Sequence, residues 1–337
     1  MAALSRELGI DLGTFNTQIA EGNQILVQEP TIVAIVINEM KLVEYGTTAL
    51  GMLGRVPETI EVVRPLRHGV IAEYELTEKF LNILVRKVTG PTLFFRPKML
   101  ITVPYGVTSV EKRAVQEAGL GAGAREVILI PQPLAAAIGM DLPINTPTGN
   151  MVISLGAGTT QAAVISMTGI VSAEASQTAG LKIDEAIISY VRKKYGIIVA
   201  PPTAEALKIR IGAALPAEEE LTMEIQGQDQ VTGLPKPVTL STNEIVEAMQ
   251  PPLEEIAATA KRVLEKTQPE LISDIIDRGV ALCGGTALMK GLDKNLSIAL
   301  GMPAYVVDNP VTCTVEGAAR GFSMLDLILR TKQGFSA

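Results

Sequence analysis

Residues 9–20, Gly9-Ile-Asp-Leu-Gly-Thr-Phe-Asn-Thr-Gln-Ile-Ala20, resemble residues 152–163, Val152-Ile-Ser-Leu-Gly-Ala-Gly-Thr-Thr-Gln-Ala-Ala163. Both copies read Ile-x-Leu-Gly, then a short turn, then Thr-Gln-x-Ala. Each predicts a strand, a tight Gly/Thr turn and a returning strand. The copies open the two halves of a 337-residue chain, a length that suits about two domains. Two similar domains facing one another across a cleft is the natural reading. Coincidence between two glycine-containing hairpins is the alternative.

The rest of the chain alternates strand-like and helix-like segments, which predicts an α/β fold. Residues 77–88 read as a helix with Phe80, Leu81, Leu84, Val85 and Val88 on one face. Residues 99–103 form a short apolar run ending at Pro104, and residues 127–130 another. Thr108-Ser-Val-Glu111 is a capping box that opens a helix, and Gly119, Gly121 and Gly123 end it. Ser241-Thr-Asn-Glu244 is a second capping box. Pro251-Pro252 is expected to break the helix that follows it, with a new helix running to about Thr267. Further helices are expected from Leu134, from Leu288, and over 315–329 at the end of the chain.

Composition excludes several classes. The formal net charge is −7 and no Lys/Arg block occurs, so a general nucleic-acid binder is disfavoured. A basic surface for anionic lipid is disfavoured on the same ground. Cys283 and Cys313 lack metal-ligand spacing, and the sole histidine, His68, has no cysteine nearby, which argues against a zinc site and a disulfide framework. A reduced cytoplasmic setting is the default. The mean hydropathy of +0.30 is high, yet no apolar run approaches the roughly 18 residues of a membrane span. The N-terminus lacks the apolar run of a signal peptide. Excess hydrophobicity without a span suggests large interfaces used for association.

The paired turns carry the chemistry. Glycine lets backbone N–H groups approach a ligand closely, and Thr and Asn side chains add hydrogen bonds. Two such turns face to face could clasp a polyphosphate. Neither the P-loop pattern nor the Rossmann fingerprint is present. Asp11, just before the first turn, either caps that turn or holds the water shell of Mg²⁺. Gly284-Gly285-Thr286-Ala287 follows an apolar strand-like run, where a base or phosphate could pack against backbone; an ordinary turn is the alternative. Glu205 and Lys208 share one helical face, so both could reach one ligand or simply pair in solvent.

Taken together these motifs resemble the actin-fold ATPases, and most closely the MreB family of bacterial actins. The likeness spans nearly the whole chain. It rests on Ile10-Asp-Leu-Gly-Thr14, Asn16-Thr17, Gly121-Ala-Gly-Ala-Arg-Glu-Val127, Pro133-Leu-Ala-Ala-Ala-Ile-Gly139 and residues 156–160. It continues through Asp184-Glu-Ala-Ile-Ile188, Thr203-Ala-Glu205 with Lys208, and Gly284-Gly285. The resemblance implies an actin-like fold of two duplicated α/β domains around a nucleotide cleft, each with a smaller subdomain. Residues 1–142 plus 310–337 would form the first domain, with its subdomain at about 31–65. Residues 143–309 would form the second, with its subdomain at about 181–240.

The resemblance further implies ATP or ADP with Mg²⁺ in the cleft. Thr14, Phe15 and Asn16 would form the first phosphate turn, and Gly156, Ala157, Gly158 and Thr159 the second. Glu205 and Lys208 would contact ribose or adenine, and Gly285, Thr286, Ala287 and Leu288 would line the base pocket. Gln132, Thr159 and Asp11 would stand at the site of hydrolysis, with Asp11 serving the metal. Family members polymerise head to tail, bind the inner membrane surface and guide wall synthesis. The expected partners are therefore other copies of the chain, a membrane and morphogenesis proteins, with no nucleic acid. The expected location is cytoplasmic, peripheral on the inner face of the membrane. Leu93-Phe-Phe95, beside Arg96, would be the membrane loop; a strand start packed into the core is the other reading.

Four positions depart from the family pattern. Gln132 replaces the Glu before Pro133, although actin resembles this chain there. Ser154 replaces the Asp before the second turn, Ala157 a Gly, and Leu181 an Asp. A Gln amide can orient water but cannot take its proton, and Ser154 leaves Asp11 as the one carboxylate at the two turns. Tight ATP binding with slow hydrolysis is therefore expected, a weak ATPase at most. His68-Gly69 resembles the His-Gly turn of actin, as a turn histidine or a phosphate-linked one. Alternatives on the same fold are a plasmid- or organelle-positioning actin and a small-molecule kinase. A chaperone ATPase is disfavoured because the chain closes after its last helix.

Overall fold

The computed structural model describes residues 6–90 and 96–333. The sequence repeat is a structural repeat. In the first hairpin Glu7–Leu12 pairs antiparallel with Asn16–Glu21, Asp11 opposite Gln18 and Leu12 opposite Thr17. In the second, Asn150–Leu155 pairs with Thr160–Ser166, Ser154 opposite Gln161 and Leu155 opposite Thr160. The turns close identically: Gly13 N donates to Asn16 O at 3.1 Å, and Gly156 N to Thr159 O at 3.0 Å. Coincidence is thereby excluded.

Each hairpin is the middle of a five-stranded sheet. The first sheet adds Gln24–Pro30 antiparallel on one side, and Lys98–Val103 and then Glu126–Pro131 parallel on the other. The second adds Gly169–Ser176 antiparallel, and Val280–Cys283 and Ala304–Val306 parallel. Numbered within its own half, each sheet runs 3-2-1-4-5. Strands buried on both faces must be apolar almost throughout. Accordingly all six residues of Asn150–Leu155 are buried, as are the last five of Lys98–Val103.

The two sheets share one core. Leu100 and Ile130 of the first sheet and Val152, Ala163 and Ile165 of the second enclose the helices Gln132–Gly139 and Cys313–Arg320. These helices meet backbone to backbone. A Cβ on Gly139 would fall 1.8 Å from Cys313 O, and one on Gly317 1.7 Å from Ala135 O. Cys283 and Cys313 are buried free thiols in the same core.

Each half also carries a small sheet. Val33–Val36 lies between Lys41–Tyr45 and Ile60–Val63, covered by the helix Gly46–Met52 around Ile32, Ala34 and Ala49. In the second half Ile197–Ile198, Thr222–Asp229 and Pro235–Ser241 form the counterpart, near the helices Gly180–Tyr195 and Pro201–Arg210.

The structure corrects four helix expectations. The helix Thr242–Glu265 runs unbroken through Pro251 and Pro252. Proline removes hydrogen bonds there, but Ile245, Met249, Leu253 and Ile256 are buried in the core of the second half, and tertiary packing outweighs the local loss. The helix expected from Leu134 starts at Gln132, because Pro133 suits a first turn. The helix expected from Leu288 begins at Leu292, since Gly285–Leu288 is a 3-10 turn and Gly291 adopts φ +74°. The closing helix is three pieces: Cys313–Arg320, a 3-10 turn over Gly321–Met324, and Leu325–Gln333. At the first break the Ser323 hydroxyl donates to Arg320 O at 2.7 Å. The capping box at Thr108 forms as expected, and the helix expected over 77–88 is present, spanning Tyr74–Thr89.

Gly317→Ala should test the joint. Backbone atoms on the facing helix cannot yield as a side chain would, so the variant should lose at least about 1–3 kcal/mol. Urea denaturation would read this as a lowered midpoint; an unchanged midpoint would show that the helices can separate freely.

Candidate nucleotide cleft

The paired sheets bring the two turns together. Thr14 Oγ1 accepts from Gly69 N at 2.7 Å. A Cβ on Gly158 would lie 2.5 Å from that same oxygen and 3.1 Å from His68 Cα. His68 holds φ +49°, a conformation rare outside glycine. Its Nδ1 lies 3.3 Å from Gly158 O. The His68-Gly69 turn is thus wedged between the hairpin turns, and His68 touches the second one directly.

A cavity of about 300 Å³ opens beside them, a size within the range of small-molecule sites. Its wall takes Asp11, Thr14, Phe15 and Asn16 from the first hairpin, and Gly156, Ala157, Gly158 and Thr159 from the second. Gln132, Glu205, Lys208, Gly285 and Thr286 complete the predicted set that lines it. Ala287 is turned into the core at 1% exposure and Leu288 outward at 62%. That pair is not in the wall, because the 3-10 turn carries both past it. Leu93, Phe94 and Phe95 lie outside the described residues.

Neutral amides join the halves across the cleft. Gln161 Nε2 donates to Gln132 Oε1 in a short contact, and to Thr159 Oγ1 at 3.3 Å. Gln161 Oε1 accepts from Tyr105 N at 2.8 Å. Gln132 Nε2 donates to Asp11 Oδ1 at 3.1 Å, and Thr102 Oγ1 to the same oxygen at 2.5 Å. Burial pushes the Asp11 carboxyl above its ordinary range, against the pull of the Thr102 and Gln132 donors. A Glu in place of Gln132 would face that carboxylate with a second negative charge.

At the other end of the cleft Lys208 Nζ lies 2.8 Å from Asp184 Oδ1, an ion pair outside good hydrogen-bond alignment. The same Nζ donates to Gly180 O at 3.2 Å. Burial pushes the Asp184 carboxyl up to about 6, although Lys208 pulls it down. In the first half Arg64 stacks on the first turn, its guanidinium 4.4 Å from the centre of the Phe15 ring. Burial lowers its pKa, and Glu205 on the facing half opposes that shift.

The second turn is tied down on its far side. Gly180 N and Thr286 Oγ1 donate to Gly156 O at 3.2 and 2.7 Å, and Leu181 N donates to Ala157 O at 2.9 Å. Ordered backbone of this kind suits a phosphate clasp. No group of three or more His, Cys, Asp or Glu placed to hold a metal ion occurs among the described residues. Asp11 alone fits Mg²⁺ as that ion travels with nucleotides, bound by phosphates and one carboxylate.

Sequence reasoning did not single out Gln18, Gln161, Asp184 or Arg64 as site residues. The two glutamines were visible in the repeat as the shared Thr-Gln. Asp184 was visible in a matching stretch. No local signal marks Arg64, whose role arises from the fold.

Twin sheets of one topology, sharing a core and closed by paired Gly/Thr turns, define an actin-like two-domain fold. The match to the MreB/Mbl protein family spans residues 5–330, and the chain belongs to that family. It is 43% identical to the cell shape-determining protein MreB of Escherichia coli (strain K12), over 96% of this chain and 95% of that protein. The crystal structure of MreB5 of Spiroplasma citri bound to ADP matches with a TM-score of 0.91 at 30% identity, covering 97% of this chain and 99% of that one. The same protein bound to AMPPNP matches with a TM-score of 0.90. A MamK double helical filament, at 20% identity and a TM-score of 0.78, shares the fold, covering 94% of this chain and 98% of that one. No helix among the described residues is long and apolar enough to cross a membrane.

Two substitutions probe the cleft. Asp184 binds its proton more tightly folded than unfolded, with a folded pKa of about 6 against 3.8. Its contribution to stability is complete below pH 3.8 and is lost as pH rises to about 6. Asp184→Asn should flatten the fall in nucleotide-free stability across that window; an identical slope would refute the assignment. Gln132→Glu should lower nucleotide-free stability at pH 8 by about 1–3 kcal/mol, with recovery as the solution is acidified. Denaturant midpoints at the two pH values would show this, and a variant as stable as wild type at pH 8 would contradict it.

Proposed function

We propose that the chain binds ATP and ADP with Mg²⁺ in this cleft and assembles head to tail into filaments that serve cell shape. The observation that carries the reading is the wedge at Thr14, Gly158 and His68-Gly69, where two copies of one turn converge on one cavity. The names of the curated relatives and the ADP and AMPPNP held by the Spiroplasma citri protein support it. On this reading residues 1–142 plus 310–337 and residues 143–309 are the two domains that close on the nucleotide.

Residues 14–16 and 157–159 present backbone N–H groups to the phosphates from opposite sides. Glu205 and Lys208 face the ribose or base, and Gly285 and Thr286 leave a flat backbone wall for the base. Mg²⁺ supplies positive charge to the phosphates, and Asp11 holds its water shell. Thr159 and Gln132 orient the attacking water. Neither can take its proton, and Ser154 offers no carboxylate to help. Hydrolysis is accordingly slow and filaments are long-lived. The filaments lie on the inner face of the membrane through residues 93–95, and wall-building morphogenesis proteins are the partners in the cell.

Electron microscopy and sedimentation with ATP, ADP or no nucleotide would test assembly. Filaments should form with nucleotide, and phosphate release should lag behind that of active bacterial actins. Vesicles of anionic and zwitterionic lipid should co-sediment with wild type and not with Leu93→Ser/Phe94→Ser. Protein that stays dispersed and binds no nucleotide would overturn the reading.

A further inference from the structure

The repeat places a glutamine at the same point of both hairpins, and the two have different surroundings. Gln161, opposite Ser154, is satisfied at both ends of its amide by Tyr105, Gln132 and Thr159. Gln18, opposite Asp11, is 2% exposed and lines the cleft. Its Nε2 is buried and has no hydrogen-bond partner among the described residues. A buried amide donor left unpaired is costly, so an acceptor is expected to come from the solvent side of the site. Asp11 Oδ1, the nearest fixed charge in register, already takes two donors.

We propose that Gln18 is a ligand-binding residue whose Nε2 donates to a phosphate oxygen of the bound nucleoside di- or triphosphate. This rests on the nucleotide reading of the cleft and deepens it by assigning the floor beneath the first turn. An anionic oxygen is the strongest acceptor that could enter there. The contact is to the phosphate chain, so it discriminates nucleotides from nucleosides.

The test compares wild type, Gln18→Leu and Gln18→Lys by calorimetric titration with ATP, ADP and adenosine at fixed Mg²⁺, with melting curves in the absence of nucleotide. Gln18→Leu should bind ATP and ADP roughly ten- to a hundredfold more weakly. It should bind adenosine as wild type does, and should melt higher than wild type without nucleotide because the unpaired donor is gone. Gln18→Lys restores a donor and should bind ATP at least as tightly as wild type. Equal ATP affinity in wild type and Gln18→Leu overturns the inference, as does a proportionate loss of adenosine binding. If Gln18→Leu does not fold, weaker ATP binding by Gln18→Lys than by wild type overturns it. A wild type that binds no nucleotide at all removes the cleft reading itself, and this inference with it.

Discussion

The contact between the helices Gln132–Gly139 and Cys313–Arg320 sets the geometry of everything above it. Gly139 and Gly317 let the two backbones touch where any side chain would hold them apart. Helices this close act as one rigid block, packed on one side by Leu100 and Ile130 and on the other by Val152 and Ala163. Both sheets therefore lean on the same support. Because their topologies match, leaning on one support aims their hairpin turns at each other. Gln132 starts one of these helices, so the residue at the centre of the cleft is anchored in the same block.

Above that support the cleft is built with little charge. Among the described residues Asp11 is the only carboxylate at the two turns, and amides and hydroxyls surround it. Neutral groups can be packed closely without repulsion, which is why two glutamines and two threonines can crowd around one aspartate. The far end is different. There Asp184 and Lys208 pair in a partly desolvated pocket, where burial raises the carboxyl pKa.

Much of this was legible in the chain because it is local. A hairpin's register and turn are written in a dozen residues, so the repeat at residues 9–20 and 152–163 disclosed the duplication directly. Capping at Thr108 is likewise a matter of neighbours. What depended on distant packing was not legible. Pro251 and Pro252 look like a helix stop until the buried stripe beside them is known. Leu288 looks like part of a base pocket until the 3-10 turn rotates it outward. Arg64, directly after the strand Ile60–Val63, meets Phe15 across 49 positions of sequence, which only the fold brings together. Gln18 and Gln161 look equivalent in the repeat, and only their surroundings in the folded chain tell them apart.

The amide of Gln132 has one oxygen and one nitrogen facing the cleft, and in this structure both are engaged, the oxygen by Gln161 and the nitrogen by Asp11. The oxygen keeps a second lone pair and the nitrogen a second N–H, so each end of the amide has one hydrogen-bonding position left. Holding the halves together and offering a hydrogen bond to the cavity that Gln132 lines are thus compatible in a single group. Cohesion across the cleft therefore does not use up the group that provides it.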